Sequence, residues 1–331
     1  MSDTATRTQT MHAITQATYG TSEVLRLARI PRPEVRDHTV LVRVHAAGLD
    51  RGTEHLMTGK PYAVRLATGL RRPRNPVPGR DVAGVVVATG PGVTRFAPGD
   101  EVYGVAPGAF AEYALAEEDK LARKPAGITF AQAAVVPISA GTALQALTGA
   151  GRVREGQTVL VTGASGGVGS YAVQLAVGLG AEVTAVCSTG KVDHVTALGA
   201  HHVIDRGQSD WGEGSDRYDL ILDIAGNPPV QRLRRALAPG GTAVFVGGEG
   251  AGVLTGMRRQ IGGALLSPFV DQRLVLLMAR ERGTDYERLA GLIEDGRLVP
   301  VLDCAYPLED AVEAVRHLEQ GMTRGKVAIT T

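Results

Sequence analysis

The sequence predicts an α/β fold in which a β-rich first part precedes a doubly wound parallel sheet. The first part contains short alternating or apolar runs, separated by glycine and proline turns, and little helical periodicity. This pattern is typical of a β-rich, partly barrel-like domain. From Ala126 onward, strand-like and helix-like segments alternate. Alternating strands and helices form a parallel sheet that is covered by helices on both faces.

Size and composition indicate an ordinary globular protein of about two domains. The 331 residues are 44% hydrophobic, which suffices to bury a sizeable core. The 35 lysines and arginines balance 34 aspartates and glutamates to a net charge of +1, which argues against a nucleic-acid partner. Residues 1–10 are polar, so we expect neither a signal peptide nor a membrane span there, and we expect a cytoplasmic protein.

The first part is predicted to consist of strands joined by tight turns. A turn at Tyr19-Gly20 separates the first two strands, and Pro31 ends the second. The segment 65–76 carries four arginines, and we expect it to form a loop near a cleft, either solvated or attracting an anionic substrate or carrier. The predicted strands cover residues 12–18, 24–30, 39–45, 82–88, 101–104 and 110–115.

The second part is predicted to alternate between strands and helices. The helix at 228–237 has Pro228 and Pro229 at its start and Pro239 just past its end. Predicted strands cover 158–162, 182–187, 201–204, 219–224, 242–247, 272–278 and 326–329. Predicted helices cover 130–136, 141–147, 166–180, 191–198, 228–237, 286–295 and 308–318. The apolar stretch 254–269 either caps a pocket or packs at a subunit interface.

A glycine-rich turn between the strand at 158–162 and the helix after it is the leading candidate for a ligand site. Small residues let the backbone approach a pyrophosphate, and the helix N-terminus offers N–H groups and the positive end of its dipole. Ala164 stands where the usual G-x-G-x-x-G pattern has its first glycine. The alternative is a tight turn of the kind found in any α/β protein. We expect dinucleotide binding by Gly163, Ala164, Ser165, Gly166, Gly167, Val168 and Gly169.

Several runs together resemble the medium-chain dehydrogenase/reductase superfamily, in its zinc-free quinone oxidoreductase and enoyl reductase branch. The resemblance implies a GroES-like substrate domain at 1–125 and 280–331, and a Rossmann domain at 126–279. It also implies hydride transfer from a nicotinamide cofactor to a small-molecule quinone or α,β-unsaturated carbonyl, and a homodimer. The matching runs are 40–48, 79–84, 99–104, 111–114, 133–143, 162–169, 198–205 and 306–311.

The loop after the strand at 182–187 predicts NADPH as the cofactor. NAD-preferring folds place a carboxylate about 20 residues after the glycines, to bind the ribose 2′-OH. Here the strand ends in Ser188-Thr189-Gly190-Lys191, whose hydroxyls and ammonium suit a 2′-phosphate. Ser188 and Thr189 could also cap the following helix. Arg206 and Arg324 are further candidates, each with a solvated surface arginine as the alternative.

The resemblance assigns the nicotinamide end of the site to residues from two later segments. Thr142 would contact the cofactor, although it could equally be an ordinary helix residue. The loop containing Val246, Gly247 and Gly248 would border the nicotinamide ring. In this branch the protein contributes positioning, hydrogen bonds and the exclusion of water.

The sequence predicts no catalytic metal. Zinc-dependent relatives carry a cysteine after the run at 40–48 and a Gly-His-Glu later, where this chain has Leu49-Asp50 and Gly79-Arg80-Asp81. Asp50, His55 and Asp81 include no thiolate. The two cysteines, Cys187 and Cys304, cannot form a four-thiolate site, and no C-x-x-C is present.

Asp50, His55 and Tyr62 are the catalytic candidates. Relatives read Asn-Pro-x-Asp where this chain reads Asp50-Arg51-Gly52-Thr53, and an ionised Asp can only accept hydrogen bonds. Three roles are open for Asp50. It is a general acid or base with a raised pKa. Alternatively, it forms a structural ion pair with Arg51, Arg80 or another arginine, or it selects a cationic or hydroxylated substrate. Tyr62 is a proton donor, a substrate contact or an apolar wall, and His55 is structural or at the pocket edge.

Three functions are compatible with these features. The leading one is an NADPH-dependent, zinc-independent reductase of quinones or α,β-unsaturated carbonyls. The altered run at 50–53 motivates a specialised biosynthetic reductase acting on an imine or another natural-product intermediate. The third is an NADPH-binding protein with a lyase, cyclase or scaffold role.

Overall fold

The structure is a computed structural model that describes residues 9–212, 216–247 and 258–331. The helices are α1 (Arg51–Thr58), α2 (Arg65–Thr68), α3 (Phe130–Ala134), α4 (Pro137–Gln145), α5 (Gly167–Gly178), α6 (Val192–Ala197), α7 (Val230–Ala236), α8 (Arg258–Leu266), α9 (Gly283–Glu294) and α10 (Ala311–Glu319). The strands are β1 (Thr10–Thr15), β2 (Arg26–Pro31), β3 (Thr39–Leu49), β4 (Asp81–Thr89), β5 (Glu101–Val105), β6 (Tyr113–Glu117), β7 (Leu121–Arg123), β8 (Thr158–Thr162), β9 (Glu182–Cys187), β10 (His202–Asp205), β11 (Tyr218–Asp223), β12 (Leu237–Phe245), β13 (Arg273–Leu276), β14 (Leu302–Pro307) and β15 (Lys326–Thr330).

The second half of the chain forms the expected doubly wound sheet. Its strands are parallel and follow the order β10-β9-β8-β11-β12-β13. Numbered from β8, this is the 3-2-1-4-5-6 order of dinucleotide-binding folds. The chain reverses direction across the sheet between β8 and β11, so a crevice opens at the carboxyl ends of these two strands. Ligands of open α/β sheets bind in such a crevice.

The first half forms a mostly antiparallel sheet that the C-terminal strands complete. The order is β14-β15-β3-β4-β5-β7, with β6 also paired to β3, while β1 and β2 form a separate hairpin. β15 pairs antiparallel with β3, so the last described strand returns to the first half. The α/β class with a β-rich first part is therefore confirmed, whereas the domain boundaries at 125 and 280 stay a prediction.

Buried tyrosines join the two halves. The Tyr171 hydroxyl on α5 donates to the Val135 carbonyl at 3.1 Å and accepts from the Val301 amide at 3.1 Å. The Tyr103 hydroxyl on β5 donates to the Tyr286 carbonyl at 2.5 Å. Because a buried hydroxyl is costly without a partner, these bonds hold α5 against the segments at Val135 and Val301, and α9 against β5.

Four helices or strands differ from the local predictions. The helix α1 was not expected, and the short helix α2 lies where we predicted a loop. Strand β12 begins at Leu237 and runs through Pro239. The sequence instead predicts that Pro239 lies in a turn between a helix and a strand that starts at residue 242. The helix predicted at 141–147 is instead α4, which starts at Pro137 and leads into a π-helical turn at Ala146–Gly151. Within the described ranges, no helix is long and apolar enough to cross a membrane.

Candidate cofactor and substrate cleft

A cleft of about 1140 Å³ lies between the two sheets. It runs past the carboxyl ends of β8 and β11, which is where the sheet topology predicts a ligand site. The β8–α5 turn and the end of β9 form one wall, and α1, α4 and the turn before β15 form the other. The cleft therefore brings both predicted cofactor segments together with the catalytic candidate region.

The glycine turn has the shape that a closely approached ligand requires. Gly163 has a φ of +65°, which disfavours any side chain. A Cβ on Gly169 would overlap the carbonyl oxygen of Gly163, so α5 can begin close to β8 only with glycine there. The Gly325 amide donates to the Ser165 carbonyl at 2.9 Å, which places the turn before β15 against the glycine turn. The members of the turn that line the cleft are Gly163, Ser165, Gly166, Gly167 and Val168.

Ala164 and Gly169 act from outside the cleft lining. Ala164 is fully buried, and its amide donates to the Val186 carbonyl at 3.0 Å. Both residues therefore hold the turn in shape, and the predicted direct contact of these two with a dinucleotide has no support from the cleft lining.

The loop after β9 and the first residue after β10 together present one hydroxyl and two cations to the cleft. Ser188, Lys191 and Arg206 line it. The Lys191 Nζ donates to the carbonyls of Gly321 at 3.0 Å and Thr323 at 2.7 Å. Burial lowers the pKa of Lys191. These contacts hold the ammonium at the cleft wall.

Arg324 also reaches this loop, but it does not line the cleft. Its Nη2 donates to the Gly190 carbonyl at 3.1 Å, and the residue is exposed. The turn 321–324 is thus tied to the loop 188–191 in both directions, by Lys191 and by Arg324. The arginine lies beside the predicted phosphate site, and its contact with a phosphate stays a prediction.

Thr189 is directed away from the cleft. Its hydroxyl donates to Oδ1 of Asp205 at 2.9 Å, at the end of β10. Neither Ser188 nor Thr189 caps the following turn or α6 with its side chain. The capping interpretation of these two residues is therefore wrong, and Thr189 acts instead on the neighbouring strand.

Residues assigned to the nicotinamide end line the opposite part of the cleft. Thr142 faces it from α4, and Val246 and Gly247 follow β12. A Cβ on Gly247 would overlap the carbonyl oxygen of Ile224, so only glycine fits there. Gly248 and residues 254–257 lie outside the described residues.

Asp50 is held by two sets of contacts. Its Oδ1 accepts from the Thr53 amide at 2.8 Å and from the Thr53 hydroxyl at 3.1 Å, which caps α1. Its Oδ2 accepts from Nζ of Lys326 at 3.2 Å. Burial acts to raise the pKa of Asp50, but the Lys326 charge and the Thr53 hydrogen bonds outweigh it and lower the pKa. The predicted structural pair is present, but its partner is a lysine and the expectation of an arginine was wrong.

Lys326 and Asp81 complete a buried ionic cluster that sequence reasoning missed. Each residue is 1% exposed, and the Lys326 ammonium contacts Oδ2 of Asp81. Burial and the Asp50 charge raise the pKa of Asp81 to about 6. The two carboxylates overcome the effect of burial and raise the pKa of Lys326. The available signal was a lysine opening the otherwise apolar strand 326–329.

The other two catalytic candidates occupy different positions. His55 on α1 is exposed and lines the cleft. Tyr62 is 42% exposed, does not line the cleft, and has the Arg65 guanidinium 4.6 Å from its ring centroid. Tyr62 thus lies outside the cleft lining, and its role as a proton donor, a substrate contact or an apolar wall stays a prediction.

Comparisons with known proteins agree with this architecture. Residues 36–126 match the alcohol dehydrogenase GroES-like domain, and residues 198–329 match a family described as zinc-binding dehydrogenase. A 2-methylene-furan-3-one reductase of Solanum lycopersicum is 33% identical over 334 residues, covering 96% of this chain and 79% of the relative. The quinone oxidoreductase of Coxiella burnetii has the same fold, with a TM-score of 0.86 and 29% identity over 98% of this chain and 100% of that one.

A further relative settles the family. A chloroplastic quinone-oxidoreductase homolog of Spinacia oleracea is 30% identical over 338 residues, which cover 96% of this chain and 98% of the relative. The identity extends over both the β-rich half and the dinucleotide-binding half. This protein therefore belongs to the medium-chain dehydrogenase/reductase superfamily, in the branch of the quinone oxidoreductases.

Proposed function

We propose that this protein is an NADPH-dependent reductase that transfers hydride to a quinone or an α,β-unsaturated carbonyl without a catalytic zinc ion. One observation gives the main support for NADPH over NADH. Ser188, Lys191 and Arg206 line the cleft where β9 ends without a carboxylate. A hydroxyl and two cations suit the 2′-phosphate that distinguishes NADPH from NADH.

The remaining cleft residues fit the rest of this cofactor. The glycine turn and the N-terminus of α5 would hold the pyrophosphate, and Thr142, Val246 and Gly247 would border the nicotinamide. When bound, NADPH supplies the hydride. The chain's own contribution is to orient the reactants and to keep water out of the cleft.

The donors near the substrate end do not fit a catalytic zinc ion. Asp50 and Asp81 share the ammonium of Lys326, so a cation already lies between these carboxylates. Catalytic zinc sites use three protein ligands, commonly histidine, cysteine or a carboxylate. Here the third candidate is His55, which is exposed on α1, and none of the three is a thiolate.

The substrate would lie between α1 and α4. The names of two relatives support its class, since one is a 2-methylene-furan-3-one reductase and another a quinone oxidoreductase. Within the described residues, no side chain hydrogen-bonds the His55 imidazole, so it is available as a proton donor to the reduced substrate. Asp50 is occupied by Lys326 and Thr53, so we assign it a structural role.

We also propose that the protein forms a homodimer through the Rossmann half. Strand β13 is at the edge of its sheet, and Leu265, Phe269 and Met278 nearby are 69%, 83% and 71% exposed. Apolar side chains of this size beside an open edge are typical of a subunit interface. Light scattering at micromolar protein would give the mass of two chains, and the mass of one chain would contradict the proposal.

The activity is tested by following NADPH oxidation with a panel of phenanthrenequinone, simple quinones and small enones. We expect turnover with at least one of them. His55→Gln should slow turnover on the order of a hundredfold, as loss of a general acid does. Tyr62→Phe is the matched control and should not slow it. Tight NADPH binding without oxidation across the panel would contradict the proposal and favour a non-redox role.

A further inference from the structure

Three potential metal ligands lie together outside the cleft. Asp303 and Cys304 are neighbours on β14, and His317 lies on α10. One ligand atom of each lies within 4.8 Å of the other two, and no other group of three or more His, Cys, Asp or Glu side chains in the described ranges does so. None of the three lines the cleft.

A bulge in β14 explains how two adjacent residues come to face the same ligand position. Successive side chains of a regular strand point to opposite faces. Leu302 pairs with Lys326 and Cys304 with Val327, so Asp303 is an extra residue between two consecutive partners. A bulge redirects a side chain in this way. The chain thus departs from regular pairing at the cluster itself.

The distances are close to those of a tetrahedral site. His317 Nε2 donates to Asp303 Oδ2 at 2.8 Å, and the Cys304 Sγ lies 4.0 Å from the same oxygen. Tetrahedral zinc bonds of about 2.0 Å to N or O and about 2.3 Å to S separate the donor atoms by roughly 3.3–3.6 Å. The Nε2–Oδ2 and Sγ–Oδ2 distances therefore each need to change by only about half an ångström.

The three side chains are partly buried, and Tyr306 lies next to them. The Asp303 and His317 side chains are 20% and 23% exposed, which leaves an entry path for an ion. Burial and the Asp303 charge raise the pKa of the Cys304 thiol, and a hydrogen bond from Tyr306 acts against them. The Tyr306 ring also packs beside the His317 ring, with 6.2 Å between their centroids.

We propose that Asp303, Cys304 and His317 bind zinc or another thiophilic divalent ion, with water as the fourth ligand. Thiolate and imidazole donors select zinc-like ions, whereas magnesium and calcium prefer oxygen donors alone. On binding, the Cys304 S–H bond breaks and its proton passes to solvent. The Nε2–H bond of His317 also breaks, and neutral His317 carries its one ring proton on Nδ1 instead, so that Nε2 offers its lone pair to the ion. The ion would join β14 to α10, away from the reacting groups.

Cobalt titration of the chelated, dialysed full chain tests the site. We expect a thiolate-to-cobalt charge-transfer band that saturates at micromolar Co²⁺ and disappears on addition of Zn²⁺. Cys304→Ser should abolish the band, and His317→Gln should weaken cobalt binding about tenfold or more. NADPH binding by both variants, measured by fluorescence, checks that they are folded.

Two variants serve as controls for the assignment. Cys187→Ser removes the other thiol and should keep the band. His202→Gln breaks a similar imidazole–carboxylate pair, with Glu182 at 3.1 Å, that has no thiol beside it, and should also keep the band. A wild-type protein without the band at micromolar Co²⁺, or a band that survives Cys304→Ser, would overturn the proposal. Neither result depends on the reductase activity.

Discussion

The Nζ atom of Lys326 lies 3.2 Å from Oδ2 of Asp50, although 276 positions separate the two residues. The same ammonium contacts Asp81. Lys326 opens β15, Asp81 opens β4, and Asp50 directly follows β3, so the cluster ties together the ends of three strands. A Cβ on Gly167 would come within 3.0 Å of Lys326 Cγ, so the lysine stem also packs against the glycine turn. This one ion cluster therefore connects the first sheet to the cofactor wall.

Lys326→Met should destabilise the protein. It leaves two carboxylates buried without their cation, and breaking a buried ion pair in this way costs about 3–5 kcal/mol. Urea denaturation measures the loss. Adding Asp81→Asn to Lys326→Met should recover part of the stability, because one uncompensated charge is removed. An unchanged unfolding midpoint for Lys326→Met would show that the cluster does not stabilise the fold.

The raised pKa of Asp81 predicts that the stability of the protein depends on pH. Its pKa is raised to about 6 in the folded protein, against about 3.9 in an unfolded chain. The folded state therefore holds an extra proton between about pH 4 and pH 6, so this group makes the free energy of unfolding fall as pH rises through that window. Asp81→Asn removes the effect. The stability of the variant relative to wild type should rise by about 2 kcal/mol from pH 4 to pH 6, and a constant difference would contradict the assignment.

A pair of glycine variants tests the cofactor turn. Gly169→Ala places a methyl group against the Gly163 carbonyl, which neighbouring backbone cannot relieve, and should cost about 1–3 kcal/mol of stability. Gly166 has a φ of −86°, and its nearest obstruction is 3.5 Å away. Gly166→Ala should therefore fold normally but weaken NADPH binding, because its methyl lies on the cleft wall. Wild-type NADPH affinity in Gly166→Ala would argue against phosphate binding at this turn.

The position of Lys191 at the cleft wall predicts a preference for NADPH over NADH. A charge-assisted hydrogen bond contributes about 1.5–3 kcal/mol, so NADPH should bind about tenfold or more tightly than NADH. Lys191→Ala should narrow that gap, whereas Lys120→Ala, which removes a surface lysine paired with Glu117, should not. Fluorescence titration of the wild type and both variants with NADPH and with NADH gives the six affinities. Equal wild-type affinities for NADPH and NADH would contradict the preference.

Local sequence signals predicted the cofactor half better than the substrate half. The strand, the glycine turn and the helix of β8–α5 are contiguous, so their chemistry is readable in one run of residues. The Asp50–Lys326 contact cannot be predicted from one run of residues, because it depends on β15 pairing with β3. The Asp205 partner of Thr189 likewise depends on β9 and β10 being neighbours. The N-terminal cap of α1 is a local signal, because Asp50 and Thr53 are only three residues apart.

The bulge at Asp303 is a second feature that local sequence signals do not predict. Adjacent residues on a strand are expected to face opposite sides, so the sequence alone places Asp303 and Cys304 apart. Only the pairing with β15 reveals the extra residue that brings them together with His317.

The most direct test of the account is NADPH oxidation with phenanthrenequinone and a small enone, measured before and after exhaustive chelation. The proposed reductase uses no metal for hydride transfer, and the cluster at Asp303, Cys304 and His317 lies outside the cleft. We therefore predict the same turnover in both preparations. Loss of turnover on chelation, restored by added zinc, would contradict the central claim.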